Sequence, residues 1–394
     1  MYKDKYPLHY AALTNNVDLI EELIKNGAFI DAKYIDDKTP LHIAARFGSV
    51  EAMEVLIKNK ADIESIDIYY RTPLHWAALS GHVQAMEVLI NNKAKIYAMD
   101  KEGRIPLSAE IPGRSQTMEV LIENKANIEA MDIYGRTPLH WAALSGHVQA
   151  VEVLINNKAN IETMNDEVKT PGSLVVSSKI FEGYTPLHFA AMFDDIQDIT
   201  ALINNKANIE AKDKIGGTPL HIAAMFGNVR AIEVLINNKA DIEAMDCELN
   251  TPLHKAAKSG HVKAIEVLIK NKADIESRDE EDRTPLHFAS LNGYLYAIRS
   301  LIKNKADIES RDKNNRTPLH LASMSGHRNT IEVLIKNKAD IELRDDDGKT
   351  PLHLAARFGH VRAMEVLINN KANIDSRDDD GKTPLEIFKN KRKL

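Results

Sequence analysis

The sequence predicts an all-α repeat fold, a solenoid of helix-turn-helix units carrying β-hairpin fingers, and three observations predict it. Twelve prolines, Pro7, Pro40, Pro73, Pro106, Pro138, Pro186, Pro219, Pro252, Pro285, Pro318, Pro351 and Pro384, recur every 33 residues, with one step of 32 before Pro138 and one of 48, which is 33 plus 15, before Pro186. Short words such as TPLH, GHV, EVLI and NKA recur at fixed places between them. One stretch is duplicated almost outright: Arg71 to Ala94 returns as Arg136 to Ala159 with Met86 replaced by Val151. A period of roughly 20 to 50 residues marks one array, where length alone would suggest two or three domains.

Each element follows from its residues. In TPLHWAALSGHV, Thr72 is a good N-cap, because its hydroxyl can satisfy an orphan backbone N–H, and Pro73 fits the first helical position, which needs no N–H. The helix is short, since Gly81 supplies the left-handed residue that ends it, and Ala77 with Ala78 keeps one face small enough for close packing. From Val83 a second helix runs, with Ala85, Met86, Val88, Leu89 and Ile90 on its apolar side and Gln84, Glu87 and Asn91 on its wet side. The segment KAKIYAMDKEGR then alternates and turns near Gly103, which reads as a hairpin-like finger. Helices this short cannot bury their own apolar faces, so each unit leans on its neighbours.

TPLHxAA followed by GHV, EVLI and ADIEA resembles the ankyrin repeat, a 33-residue unit, over nearly the whole chain. The resemblance implies L-shaped units stacked so that fingers and first helices line a concave groove. It divides residues 1–394, as a single repeat domain, into about eleven complete units and a C-terminal half unit from Thr383, with a degenerate unit near 104–122 and an insertion near 165–183. With helices about 8 to 10 Å apart, the array is expected to form a curved rod on the order of 100 Å long.

Three features depart from the family pattern. Only Gly27 ends a second helix with glycine; elsewhere Lys60, Lys93, Lys125, Lys158, Lys206, Lys239, Lys272, Lys305, Lys338 and Lys371 hold that place. Either lysine bears left-handed strain of about 1 kcal/mol or the preceding asparagine takes the turn. The lysines read as solvated surface, with Asp62 and Glu64 neutralising part of the stripe. In the fourth unit Ser108 replaces the histidine and Pro112 falls inside the first helix, so a frayed helix is expected between Ile105 and Gln116. The insertion NDEVKTPGSLVVSSKIFEGY resembles the relic of a decayed unit, placed at a finger tip, where SLVVS is either a mobile loop or a strand offered to a partner.

No catalytic apparatus stands outside the repeat. All 15 histidines fall in two repeating slots, PLH (His9, His42, His75, His140, His188, His221, His254, His287, His320, His353) and GH (His82, His147, His261, His327, His360), so they read as structural, with the PLH ring expected to bond the adjoining turn. RDDDGKT at Arg344 and Arg377 resembles a calcium loop, but position 12 counted from Asp345 is Ala356. No GxxxxGK[ST], GxSxG, HExxH or CxxC occurs. The reading is therefore not an enzyme, with no cofactor and no metal. One cysteine, Cys247, cannot form an internal disulfide and has no unassigned histidine to activate it. A net charge of -6 argues against nucleic acid, and no apolar run reaches the roughly 18 residues of a membrane span. MYKDKYPLHYAAL enters the first repeat at once, which leaves no room for a cleavable leader, and KNKRKL at the end reads as a charged terminus after a cap.

Variable positions of ankyrin-like arrays lie five, four and two residues before each repeat proline and six and seven after. These offsets select Ile68, Tyr69, Arg71 and Leu79 in the third unit and Ile133, Tyr134, Arg136 and Leu144 in the fifth, with Ser80 and Ser145 beside them. In the sixth they select Phe181, Glu182, Tyr184, Met192 and Phe193, and in the seventh Met225 and Phe226. Aromatic residues, Met and Arg are interface-enriched types. Toward the C-terminus the offsets turn charged, at Glu280, Glu281 and Arg283, Asp346, Asp347 and Lys349, then Asp379 and Asp380. The reading is a monomeric, non-enzymatic scaffold that binds a protein partner through its concave groove, greasy in the middle and acidic toward the C-terminus. Richness in Asn, Lys and Ile resembles ankyrin arrays of intracellular bacteria, which implies a cytoplasmic protein or one delivered into a host cell as an effector. The alternative is a regulatory or targeting subunit, or a structural adaptor, for an enzyme of the producing cell.

Overall fold

The computed structural model describes residues 6–108, 115–165 and 182–391. Its contacts divide the chain into two compact bodies, Met1–Ala190 with Gln197–Asn208, and Ala191–Ile196 with Ile209–Leu394.

Both bodies repeat one helix pair. In the third repeat the first helix is Pro73–Ser80, Gly81 stops it at φ 71°, and the second helix is Val83–Asn91, the start and stop that Pro73 and Gly81 predict. Within the N-terminal body the first helices Pro7–Leu13, Pro40–Phe47 and Pro73–Ser80 pack in sequence, and the second helices follow suit. The C-terminal body does the same with Pro219–Phe226, Pro252–Ser259, Pro285–Asn292, Pro318–Ser325 and Pro351–Phe358. Close approach depends on the alanine pairs: Ala44, Ala45, Ala77 and Ala78 are fully buried, as are Leu41, Met53 and Leu56 between the layers. A buried leucine contributes about 2 kcal/mol, so the stack is held by a sum of such interfaces.

Lysine, not asparagine, takes the turn after each second helix. Asn92 keeps φ -88° and donates its Nδ2 to the Val88 carbonyl at 2.8 Å, while Lys93 sits at φ 70°. The lysines in this slot all lie between φ 68° and 74°.

The fingers are turns rather than the β-hairpins expected; no strand is present among the described residues. Asp67 shows why. Its N–H donates to the Arg71 carbonyl at 3.1 Å, and its carboxylate accepts the N–H groups of Tyr69 and Arg71 at 2.8 and 2.9 Å. One backbone bond per finger links neighbouring tips, as from Ile68 N–H to Asp36 O, Lys101 N–H to Tyr69 O and Ile133 N–H to Glu102 O. A strand ladder needs a run of such bonds.

In the fourth repeat the described residues that open the first-helix segment, Pro106–Ser108, form a 3-10 turn, and the second helix is Ser115–Glu123. Pro112 and most of the stretch expected to fray lie outside the described residues. The insertion enters at a finger tip. Asn165 donates to the Tyr184 carbonyl and accepts from Gly183 N–H, both at 3.1 Å, and its Oδ1 accepts from Tyr184 N–H at 2.6 Å, the same bonds by which Asp67 closes its own finger. Most of the inserted residues, SLVVS included, lie outside the described ones.

Candidate protein-binding site

The histidines fasten one repeat to the next. Thr72 donates its N–H to His75 Nδ1 at 3.1 Å, the Thr72 hydroxyl lies 2.9 Å from the same nitrogen, and His75 Nε2 lies 3.0 Å from the Arg104 carbonyl of the following finger. A carbonyl can only accept, so Nε2 carries the proton and Nδ1 is the acceptor. His42, His140, His221, His254, His287, His320 and His353 repeat the arrangement, reaching the carbonyls of Arg71, Tyr184, Asn250, Arg283, Arg316, Lys349 and Lys382. The expected threonine cap is present as one half of a reciprocal capping box: the threonine side chain accepts the backbone N–H of the histidine, and the imidazole Nδ1 accepts the threonine N–H. Burial pushes His42, His140, His221, His287 and His320 down to about 4, which keeps these rings neutral at pH 7.

Two histidines of the second slot also bond to a neighbouring repeat. His327 and His360 Nε2 each lie 3.0 Å from a carbonyl of the preceding repeat, Leu291 and Met324. Their rings rest on Gly293 and Gly326, where a Cβ would come within 2.7 and 2.6 Å, so those glycines make room for the ring. Finger aspartates are likewise engaged: Asp345 accepts the N–H groups of Asp347 and Lys349 at 3.1 and 2.8 Å. Among the described residues no group of three or more His, Cys, Asp or Glu side chains could hold a metal ion.

Of the residues selected from the sequence, Ile68, Tyr69 and Ile133 in the N-terminal body and Phe193 and Phe226 in the C-terminal body are exposed. Leu79, Tyr134 and Leu144 of the first body, and Met192 and Met225 of the second, are half-buried. Arg71 and Arg136 are half-buried and turned inward: Arg71 lies 5.2 Å over Tyr69 and 5.5 Å over Trp76, and Arg136 lies 4.4 Å over Tyr134 and 4.0 Å over Trp141. Such stacking shields one face of each guanidinium. Tyr184 corrects the expectation of a surface residue. It is 0% exposed, stacked on His188 at 5.1 Å and edge-on to Phe189 at 5.5 Å, because it fills the place that arginine holds in other fingers and its backbone closes onto Asn165. Phe181 lies outside the described residues.

A sixth column was missed, seven residues before the repeat proline or, at the insertion, seven before Pro171, which stands 33 residues after Pro138. In the N-terminal body it carries Ile66, Met99, Met131 and Met164, which are 44%, 59%, 46% and 46% exposed and so present one continuous kind of surface on successive fingers. In the C-terminal body the same column holds Lys212 and the exposed Met245, then Arg278, Arg311, Arg344 and Arg377, each of the first three arginines reaching the next one's carbonyl at 2.8, 3.3 and 2.7 Å. The charged fingers of that body are thus not simply acidic: a row of guanidiniums runs beside Glu280, Glu281, Asp346 and Asp379. The signal that could have found this column was its change from Met and Ile to Arg along the chain. Cys247 is exposed at a finger tip. No helix among the described residues is long and apolar enough to cross a membrane.

Comparison with protein families matches the description Ankyrin repeats (3 copies) to residues 8–100, 164–246, 187–279, 253–345 and 319–388, and Ankyrin repeats (many copies) to residues 107–155. Comparison with curated proteins returns no match.

Proposed function

The chain belongs to the ankyrin repeat family, and on that premise we propose that it is a non-enzymatic scaffold that binds a protein partner through the exposed apolar side chains of its fingers. The observation that carries this reading is the run of Ile66, Ile68, Tyr69, Met99, Met131 and Ile133, all exposed on consecutive fingers of the N-terminal body. Contiguous apolar surface of this kind marks an interaction site. Phe193 and Phe226 form a separate apolar feature of the C-terminal body. Repeats of this family are typically non-catalytic binding modules, and the engagement of the histidines as inter-repeat fasteners supports the same reading. The host-directed role rests on the Asn, Lys and Ile richness alone; fractionation that finds the chain only inside its producing cell removes it.

Quantitative affinity capture tests the scaffold reading, with the native chain compared with Tyr69→Ser/Met99→Ser/Met131→Ser and with Phe193→Ser/Phe226→Ser, all of equal helicity. A partner retained by the native chain and lost by the first variant supports binding at the N-terminal fingers. Capture unchanged by either variant overturns the assignment.

A further inference from the structure

We infer that the row Ile66, Met99, Met131 and Met164 receives an amphipathic α-helix of a partner protein, with an apolar residue at every seventh position. The inference rests on the scaffold reading above and names the shape and chemistry of the partner.

Register is the first argument. The tip-to-tip backbone bonds hold the fingers of Ile66, Met99 and Met131 in step, and the Asn160 N–H on Glu129 ties the repeat of Met164 to the one before it, so the side chains recur at the repeat spacing, about 10 Å for packed helices. An α-helix rises about 1.5 Å per residue, so seven residues advance about 10.5 Å and return to nearly the same face. A β-strand advances about 10 Å in three residues, but those three end on the opposite face, so a strand cannot serve every finger alike. A polyproline helix advances about 9.3 Å in three residues and does return to one face. The chemistry of the row separates these two. Grooves for polyproline are lined by aromatic rings, whereas flexible thioethers suit the apolar face of a helix.

Charge complementarity is the second argument. On the tip side of the row stand Arg71, Arg104 and Arg136, across the turn that joins each finger aspartate to the arginine carbonyl. On the helix side stand Glu64, Glu129 and Glu162, each giving one carboxylate oxygen to the next repeat's N–H at 2.8, 2.7 and 2.7 Å. Tyr97 takes the glutamate's place beside Met99 and is 70% exposed, which widens the apolar strip at its middle. Asp100 and Asp132 hold Arg104 and Arg136 at 2.8 and 2.9 Å, and Arg71 is turned inward over Tyr69 and Trp76, so a helix that lays an apolar seam on the row meets the glutamates as its charged flank and is basic on that side. At its first finger the row opens into a cavity of about 580 Å³ where Phe29 and Ile66 stand among polar residues that include Asp31, Asp62 and Glu64, which gives the helix end a seat of mixed character with carboxylates for a basic residue. Four fingers span about 30 Å, so the occupant is a helix of about 22 residues.

The test uses the full chain and a labelled peptide of about 22 residues with leucine at every seventh position and lysine along one flank. Two controls of similar composition carry leucine at every sixth position or, in a proline-rich peptide, at every third. Fluorescence anisotropy is expected to show the heptad peptide binding about tenfold or more tighter than either control, with that advantage lost in Met99→Lys/Met131→Lys and kept in Met99→Leu/Met131→Leu. Equal or tighter binding of a control, binding indifferent to the lysine variant, or no binding of the heptad peptide overturns the inference. If affinity capture still yields a partner that depends on Met99 and Met131, only the helical occupant fails and the scaffold reading stands.

Discussion

Two stretches of the N-terminal body, residues 71–94 and 136–159, differ at one position, Met86 against Val151, and nevertheless sit in different electrostatic surroundings. Arg136 turns back to its own finger aspartate, Asp132, at 2.9 Å, whereas Arg71 lies 3.9 Å from Asp100 of the next finger. The cause is the finger behind each copy. Behind the first comes Asp100, a carboxylate that also holds Arg104 at 2.8 Å; behind the second comes Asn165, which is neutral. His75 and His140 differ in the same way. Burial is the largest influence on both and lowers both, but Asp100 pushes His75 back up while His140 has no such carboxylate opposite it. In a stacked array, then, a repeat's charges are set as much by its successor as by its own residues.

The largest effect expected from this arrangement is on stability against pH. His140, like His42, His221, His287 and His320, is held by burial at about 4 against an ordinary 6.5. The unfolded chain takes up protons near 6.5 and the folded chain resists until about 4, so stability is complete above that upper value and is lost as the pH falls between the two. At pH 5 each such ring costs about 2 kcal/mol, and the losses add over the array. Urea unfolding at pH 7.5, 6 and 5 should show a steep fall in the midpoint; a flat profile would mean that these rings are already charged in the folded state and that the comparison of His75 with His140 has no basis.

A smaller effect sharpens the comparison directly. Asn165→Asp places a carboxylate behind the second copy and should raise the pKa of His140, while Asp100→Asn should lower that of His75. Placing the charge should also loosen Arg136 from Asp132. The measurement is the titration of the two imidazoles by NMR in each variant. Shifts in these opposite directions would make the successor finger the determinant; unmoved rings would return it to the copies themselves.

Much of this architecture is legible in the residues. The proline period places the repeats, Thr-Pro opens each first helix and glycine closes it, and the apolar spacing after Val83 and its equivalents gives the second helix. The candidate site was harder to read for reasons that lie in packing. Tyr184 has the residue type of a surface contact, but its burial depends on Asn165 closing a finger across 15 extra residues, which no local pattern encodes. Arg71 and Arg136 look like interface arginines, yet Trp76 and Trp141 beneath them draw them inward. Met99 and Met131 escaped notice because a half-polar finger gives no sign of which of its arms faces outward until the turn bonds of Asp100 and Asp132 are seen. Even the fingers' secondary structure turns on those aspartates, whose carboxylates take the N–H groups that a strand would have paired.

The smallest effect probes where the two copies should not differ at all. Lys93 and Lys158 close their second helices at φ 70° and 68°, each with its N–H 2.8 Å from the carbonyl three residues back and the next alanine N–H 3.0 Å from the leucine carbonyl five back. Both lysines are exposed. Glycine removes a left-handed strain of about 1 kcal/mol but adds freedom to the unfolded chain worth about half to all of that, so Lys93→Gly and Lys158→Gly should each stabilise slightly or not at all. Their equality is the point: at fixed pH the two urea-derived changes should agree within about 0.3 kcal/mol, as expected for independent sites in like surroundings. A clear difference between them would show that succession affects the helix ends as well as the fingers, and the distinction drawn from Asp100 and Asn165 would then be only one part of a wider dependence on the next repeat.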